Sequence, residues 1–131
     1  MPERLRVLIV EDSEQDYLLC VRELKKAGFS VEHLRVGTLG LLQKALAPHS
    51  WDVILSDYNL PGFTGLDAFC LARARGVQVP FIIVSGGMTE EQAREARACG
   101  ISDCIDKQNL DRLVSAVQRE LARGARQRKS D

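Results

Sequence analysis

Four positions in this 131-residue chain carry residue types that could do chemistry, and each closes an apolar run. Glu11 and Asp12 follow residues 5–10. Asp57 follows Val53, Ile54, Leu55 and Ser56. Ser85 follows residues 81–84 and is itself followed by Gly86 and Gly87. Asp106 and Lys107 follow residues 101–105. Carboxylates held close together repel, so they must bind a cation or one must take up a proton. Oxygen ligands without histidine or thiol suit Mg²⁺, which keeps several of its waters. Asn59, two residues beyond Asp57, could add a backbone carbonyl. Lys107 supplies a fixed positive charge, Ser85 a hydroxyl, and Gly86 and Gly87 allow close backbone approach. These are the parts that phosphoryl transfer needs. A carboxylate attacks, a metal neutralises developing charge, and a lysine and a hydroxyl hold the remaining oxygens.

Taken singly, each residue has a plainer reading. An acid after a strand is commonly a loop or capping residue. Glu11 and Asp12 could simply favour the positive end of a following helix. The joint pattern carries weight only if the apolar runs are strands of one sheet.

The elements support that arrangement. Residues 5–10, 53–55 and 81–84 are nearly unbroken apolar runs, which suit strands covered on both faces of a parallel sheet. Residues 31–36 alternate more and fit a strand nearer an edge. Residues 101–105 are short and mixed, and are read as a strand from their place in the order. Helix starts lie between them: Ser13 with Asp16, Thr64 with Asp67, and Thr89 with Gln92, each with the spacing of a capping box. Gly28 fits a helix stop. Leu110, Leu113, Val114, Val117 and Leu121 share one face of the last helix. The fourth helix, about residues 90–99, offers only alanines at its apolar positions and should pack weakly. Five strand–helix repeats with right-handed crossovers make an α/β fold, an open doubly wound parallel sheet. Ligands bind such sheets beyond the carboxyl ends of the strands, so all four chemical positions fall on one rim.

Composition bounds the rest. With 45% apolar residues the chain suits one compact domain. Lys plus Arg and Asp plus Glu each total 18, and the zero net charge gives no global case for binding nucleic acid or anionic membrane. Cys20, Cys70, Cys99 and Cys104 form no Cys-x-x-Cys pair, and neither His33 nor His49 stands in metal-like spacing with them. They are expected to be reduced, small core residues. No signal peptide and no apolar run of membrane-spanning length is visible, so a cytoplasmic chain without membrane insertion is expected.

The stretches Val7-Leu8-Ile9-Val10-Glu11-Asp12, Asp52-Val53-Ile54-Leu55-Ser56-Asp57-Tyr58-Asn59-Leu60-Pro61-Gly62, Ile83-Val84-Ser85-Gly86 and Lys107 resemble the receiver domain of two-component response regulators. The likeness covers about residues 4–123. It implies a (βα)5 flavodoxin-like sheet of strand order 2-1-3-4-5 over residues 1–124, with residues 125–131 a short basic tail. It implies that Asp57 accepts a phosphoryl group from a histidine kinase or a histidine phosphotransfer protein. Glu11 and Asp12, with Asp57 and the backbone of Asn59, would hold Mg²⁺. Ser85 and Lys107 would bond the phosphoryl group, and the loops after strands four and five and the fourth helix would shift to alter binding of a downstream protein. Such a domain is a signalling acceptor rather than a turnover enzyme.

Two residues depart from the family pattern. Cys104 stands where receivers commonly carry Tyr or Phe, which swings inward as the hydroxyl residue moves. Gln108 stands where they commonly carry a proline after a cis bond. A cis bond before a non-proline costs about 2.5–4 kcal/mol, so a trans Lys107–Gln108 bond and an altered loop are expected. Residues 85–91 are similar to receivers found beside hybrid sensor kinases rather than those fused to DNA-binding domains. Met1 and the tail, which includes Arg126, Arg128 and Lys129, favour a stand-alone receiver without direct DNA binding. A phosphatase with an Asp nucleophile would want an acid at position 59, and Asn59 cannot serve as one. A receiver fold used only for docking is opposed by the intact acidic set. A nucleotide-binding domain lacks its glycine-rich fingerprint after strand one.

Overall fold

The computed structural model describes residues 3–47 and 50–130, the side chains of residues 125–130 excepted. His49, Met1, Pro2 and Asp131 lie outside the described residues, as do the side chains of Arg126, Arg128 and Lys129.

Apolar runs become strands and capped amphipathic stretches become helices, in strict alternation. The order is β1 (Arg4–Val10), α1 (Glu14–Lys26), β2 (Ser30–Val36), α2 (Leu39–Leu46), β3 (Val53–Ser56), α3 (Gly65–Ala74), β4 (Phe81–Ser85), α4 (Glu90–Cys99), β5 (Asp103–Asp106) and α5 (Asp111–Ser130). A short hairpin, Asn59–Leu60 against Phe63–Thr64, lies between β3 and α3 and stands apart from the sheet. The five strands are all parallel, in the order β2-β1-β3-β4-β5, as the sequence leads one to expect. Strand β2 is an edge, which fits its weak alternation.

Each inner strand is covered twice. Val7, Ile9, Leu55, Ile82 and Val84 pack with Cys20, Leu24, Leu113 and Val117 of α1 and α5. Leu8, Val10, Ile54, Phe81 and Ile83 pack with Leu42, Leu46, Phe69 and Ala72 of α2 and α3. Successive residues of a strand point to opposite faces, so burial on both produces the unbroken apolar runs.

The helix starts are side-chain caps. Ser13, Thr38, Thr64 and Thr89 each accept a hydrogen bond from an N–H in the first turn. Gly28, after α1, has φ 101°, the left-handed conformation of a helix stop. The backbone of α5 continues to Ser130, through the stretch expected to be a tail.

One expectation fails. Only Cys20 is a core cysteine; Cys70 and Cys99 are exposed and Cys104 is half-buried, all of them free thiols. Cys70 and Cys99 fall on the outward sides of α3 and α4, whose inward positions are taken by Ala68, Phe69 and Ala72 and by Ala96.

Candidate active site at the carboxyl rim

Sheet register sets the rim. Val10 stands opposite Val36 and Ser56, Ser56 opposite Ile83, and Ser85 opposite Asp106. The ladder runs one step beyond the strands, with the Glu11 N–H donating to the Val36 carbonyl at 3.0 Å and the Asp57 N–H to the Val10 carbonyl at 2.9 Å. The strand order reverses between β1 and β3, and Glu11 and Asp57 flank that point.

Glu11, Asp12 and Asp57 each offer a carboxylate oxygen, and these oxygens lie within 4.8 Å of one another. This is the one such acidic group among the described residues. Glu11 is buried and Asp12 exposed. Burial raises the Glu11 carboxyl above its ordinary value, and the Asp57 charge adds to the rise. Bonds from Lys107 and the Ser13 N–H oppose it without cancelling it. Asp57 Oδ1 accepts from the Tyr58 N–H at 2.7 Å. Asp57 Oδ2 accepts from Lys107 Nζ at 2.9 Å. The same ammonium lies 3.0 Å from Glu11 Oε2 and 2.7 Å from Asp16 Oδ2. Burial works to lower the Lys107 pKa, but the bonds to Asp16, Asp57 and Glu11 outweigh it and hold the group above its usual range, so it is a permanent cation. An all-oxygen set of three converging carboxylates, one of them desolvated, fits a hard divalent cation.

Ser85 is buried at the end of β4 and its hydroxyl bonds no other described residue. Asn59 sits in the hairpin, paired in register with Thr64. The Lys107–Gln108 bond is trans, as expected. Lys107–Asn109 form a single 3₁₀ turn, capped by Asp106, whose Oδ1 accepts from the Gln108 N–H at 2.9 Å. A proline at 108 lacks that N–H, so the altered loop has its own local cause. Beside the rim, Ser85, Met88, Ala93, Arg97 and Cys104 line a cleft of about 160 Å³. The small Cys104 side chain leaves that space open.

Two contributors were not foreseen. The sequence marks Asp16 only as a capping partner of Ser13, yet its carboxylate reaches Lys107. Gly65 starts α3, and a Cβ there would fall 2.7 Å from the Asp57 carbonyl oxygen. Nothing larger than glycine fits behind Asp57 with the backbone as it stands. Gly86 and Gly87 are not hemmed in by protein atoms in this way. A Cβ at Gly86 would meet only Lys107 Cδ at 3.9 Å, and at Gly87 nothing within 4 Å. Both lie exposed in the loop after Ser85, with open space beside them.

The family model for the response regulator receiver domain matches residues 7–118. The chain belongs to that family. It is 30% identical over 105 residues to the two-component system protein A of Emericella nidulans, an alignment covering 79% of this chain and 15% of that one. The chain spans from under a tenth to just over half the length of the curated relatives it matches. Among solved structures it is similar to the signal receiver domain of a Vibrio parahaemolyticus protein, at 25% identity, 98% coverage of both chains and a TM-score of 0.85. It also shares its fold with the receiver domain of sensor histidine kinase PA1611 from Pseudomonas aeruginosa PAO1, at 22% identity, a TM-score of 0.75, and coverage of 90% of this chain and 98% of that one. That receiver was solved with a magnesium ion coordinated in its active-site cleft. This receiver thus belongs among the signal-transduction domains of two-component systems.

Proposed function

We propose that this receiver accepts a phosphoryl group on Asp57 from a phosphohistidine of a histidine kinase or histidine phosphotransfer protein, in a Mg²⁺-dependent reaction. The observation that carries the reading is the position of Asp57, whose Oδ2 is 2.9 Å from the Lys107 ammonium while its carboxylate lies among those of Glu11 and Asp12. An Asp57 oxygen attacks phosphorus, the O–P bond forms, the P–N bond to the donor imidazole breaks, and the imidazole leaves and takes up a proton. Glu11, Asp12, Asp57 and the Asn59 backbone would hold the metal, which when bound supplies charge neutralisation for the phosphoryl oxygens. Lys107 holds one phosphoryl oxygen through a charge-assisted bond, and the unpartnered Ser85 hydroxyl is available to another. The 2.7 Å bond from the Tyr58 N–H fixes the rotation of the Asp57 carboxylate before the donor arrives.

Leu18 and Leu19 are exposed on α1, the helix that follows Glu11 and Asp12, and offer apolar contact to a protein donor. The output is a change in protein binding around the loops after β4 and β5 and helix α4. Zero net charge favours a protein over nucleic acid as the target. With Cys104 in place of an aromatic, the signal leaves Ser85 by a route other than a swinging ring.

The test is mass spectrometry after incubation with acetyl phosphate, with and without Mg²⁺, on the wild-type chain and Asp57→Asn. The expected result is one added phosphoryl group on the wild type, dependent on Mg²⁺ and absent from the variant. A wild-type chain that stays unlabelled with small donors and with a phosphorylated kinase overturns the proposal in favour of a docking module.

A further inference from the structure

An ammonium has three N–H donors, and Lys107 has three carboxylates around it: Asp16 at 2.7 Å, Asp57 at 2.9 Å and Glu11 at 3.0 Å. Glu11 and Asp57 belong to the acidic group that can hold a cation; Asp16 does not. Asp16 lies in the first turn of α1 rather than on a strand end, and its side chain is 36% exposed, against 5% for Glu11 and 12% for Asp57.

Local hydrogen bonding explains why the Asp16 carboxylate is free for this task. At α3 and α4 the third helical residue folds back to its own cap: Asp67 accepts from the Thr64 N–H at 2.8 Å and Gln92 from the Thr89 N–H at 3.0 Å. At α1 the equivalent Ser13 N–H is taken by Glu11 Oε1 at 3.1 Å. The Asp16 N–H still donates to Ser13 Oγ at 3.2 Å, which fixes the residue in place. Its carboxylate, displaced from the cap, turns to Lys107.

We propose that Asp16 is a positioning residue that shares the Lys107 ammonium with Glu11 and Asp57, holds it when a divalent cation takes those two, and so strengthens binding of the cation at Glu11, Asp12 and Asp57. The inference rests on the reading of those three carboxylates as Mg²⁺ ligands. When a cation takes Glu11 and Asp57, Asp16 is the acceptor of the three that can keep Lys107 bonded. Without Asp16 the ammonium spends its bonds on the two ligands, and the cation must displace it from both. Losing the Asp16 charge also weakens cation attraction directly, but that effect acts whether or not Lys107 is present. The two contributions therefore separate by experiment.

The measurement is calorimetric titration of the full chain with MgCl₂, for wild type, Asp16→Asn, Asp16→Glu, Lys107→Gln and the Asp16→Asn, Lys107→Gln double variant. Asp16→Asn should raise the Mg²⁺ dissociation constant by about three- to ten-fold, as expected for losing a neighbouring charge and a competing acceptor. On the Lys107→Gln background the same substitution should change it by less than about two-fold, because coupling is lost with the partner. Asp16→Glu should restore the wild-type value within about two-fold, since the carboxylate is kept. Asparagine preserves the size and the backbone cap, and Asp16→Ser, read in the same way, covers the case of a poorly folded variant. An unchanged constant in Asp16→Asn, or an equal change on both backgrounds, overturns the inference. A wild-type chain that binds no Mg²⁺ overturns it together with the proposed function. A chain that binds Mg²⁺ in the predicted pattern but takes no phosphoryl group overturns the proposed function alone.

Discussion

Glu11 is a buried carboxylate facing two others, and the cost of that placement has a sign that can be measured. Its folded pKa is raised above 4.5 by burial first and by the Asp57 charge. Below the unfolded value both states hold the proton, so the group does not disfavour folding. As pH rises the unfolded chain ionises first, stability falls, and it levels off once pH passes the folded pKa. Glu11→Gln, measured by urea unfolding without divalent cations, should be more stable than wild type at pH 7 by about 1 kcal/mol, the scale of partly compensated desolvation. The gap should close as pH falls towards 4.5. A variant less stable than wild type at pH 7 would show that the Lys107 and Ser13 bonds outweigh burial. At this scale Glu11, Asp12, Asp57, Ser85 and Lys107 were legible in the sequence, because each closes a visible apolar run. Asp16 was not, because Ser-x-x-Asp reads as a capping box until Glu11 is seen to occupy the Ser13 N–H. Gly65 was not, because its requirement is a through-space approach to the Asp57 carbonyl. The exposed cysteines were misjudged for a related reason: composition tells how often a cysteine is buried, and only the helix phase tells which side it faces.

Among the helices, α4 is held least. Ala96 is its one buried residue, whereas α1 buries Cys20, Val21 and Leu24 and α5 buries Leu113, Ala116 and Val117. Its order comes from its ends: the capping box of Thr89 and Gln92, and Gly100 in the left-handed conformation at φ 111°. Caps contribute about 1 kcal/mol each, less than the burial of a few large side chains. Amide hydrogen exchange should therefore show α4 opening locally, with protection at least about ten-fold below that of α5 in the same sample. Equal protection in the two helices would mean that the cleft under Cys104 does not loosen this side. The weakness of α4 could be read from its alanines, and the alternation of strands and helices from the apolar runs. The start of α2 at Thr38 and the hairpin after Asp57 could not. The first lacks the acidic or amide partner three residues on that marked the other starts, and the second rests on cross-strand pairing between four residues with no apolar run behind it.

Over the whole molecule the charge is balanced, yet its distribution is not. Two apolar layers fix the sheet, the sheet fixes the rim, and the rim gathers the carboxylates of Glu11, Asp12 and Asp57, while Lys107 bonds Glu11, Asp16 and Asp57. The folded chain assembles these acids and the unfolded chain disperses them, so a cation held there adds to folding stability by linkage. At ten times its dissociation constant, Mg²⁺ should add about 1.4 kcal/mol. For a chain of this length that corresponds to a rise in Tm of about 4–7 °C. Matched ionic strength from NaCl should give a much smaller rise, since it screens the carboxylates without bridging them. Asp12 is the exposed member of the group and takes no part in the Lys107 network, so Asp12→Ala should leave the metal-free Tm nearly unchanged while abolishing the Mg²⁺ shift. Thermal unfolding followed by circular dichroism, with and without MgCl₂, decides the point. A wild-type Tm indifferent to Mg²⁺, or an Asp12→Ala chain that still responds fully, would mean that the three carboxylates do not act as one cation site.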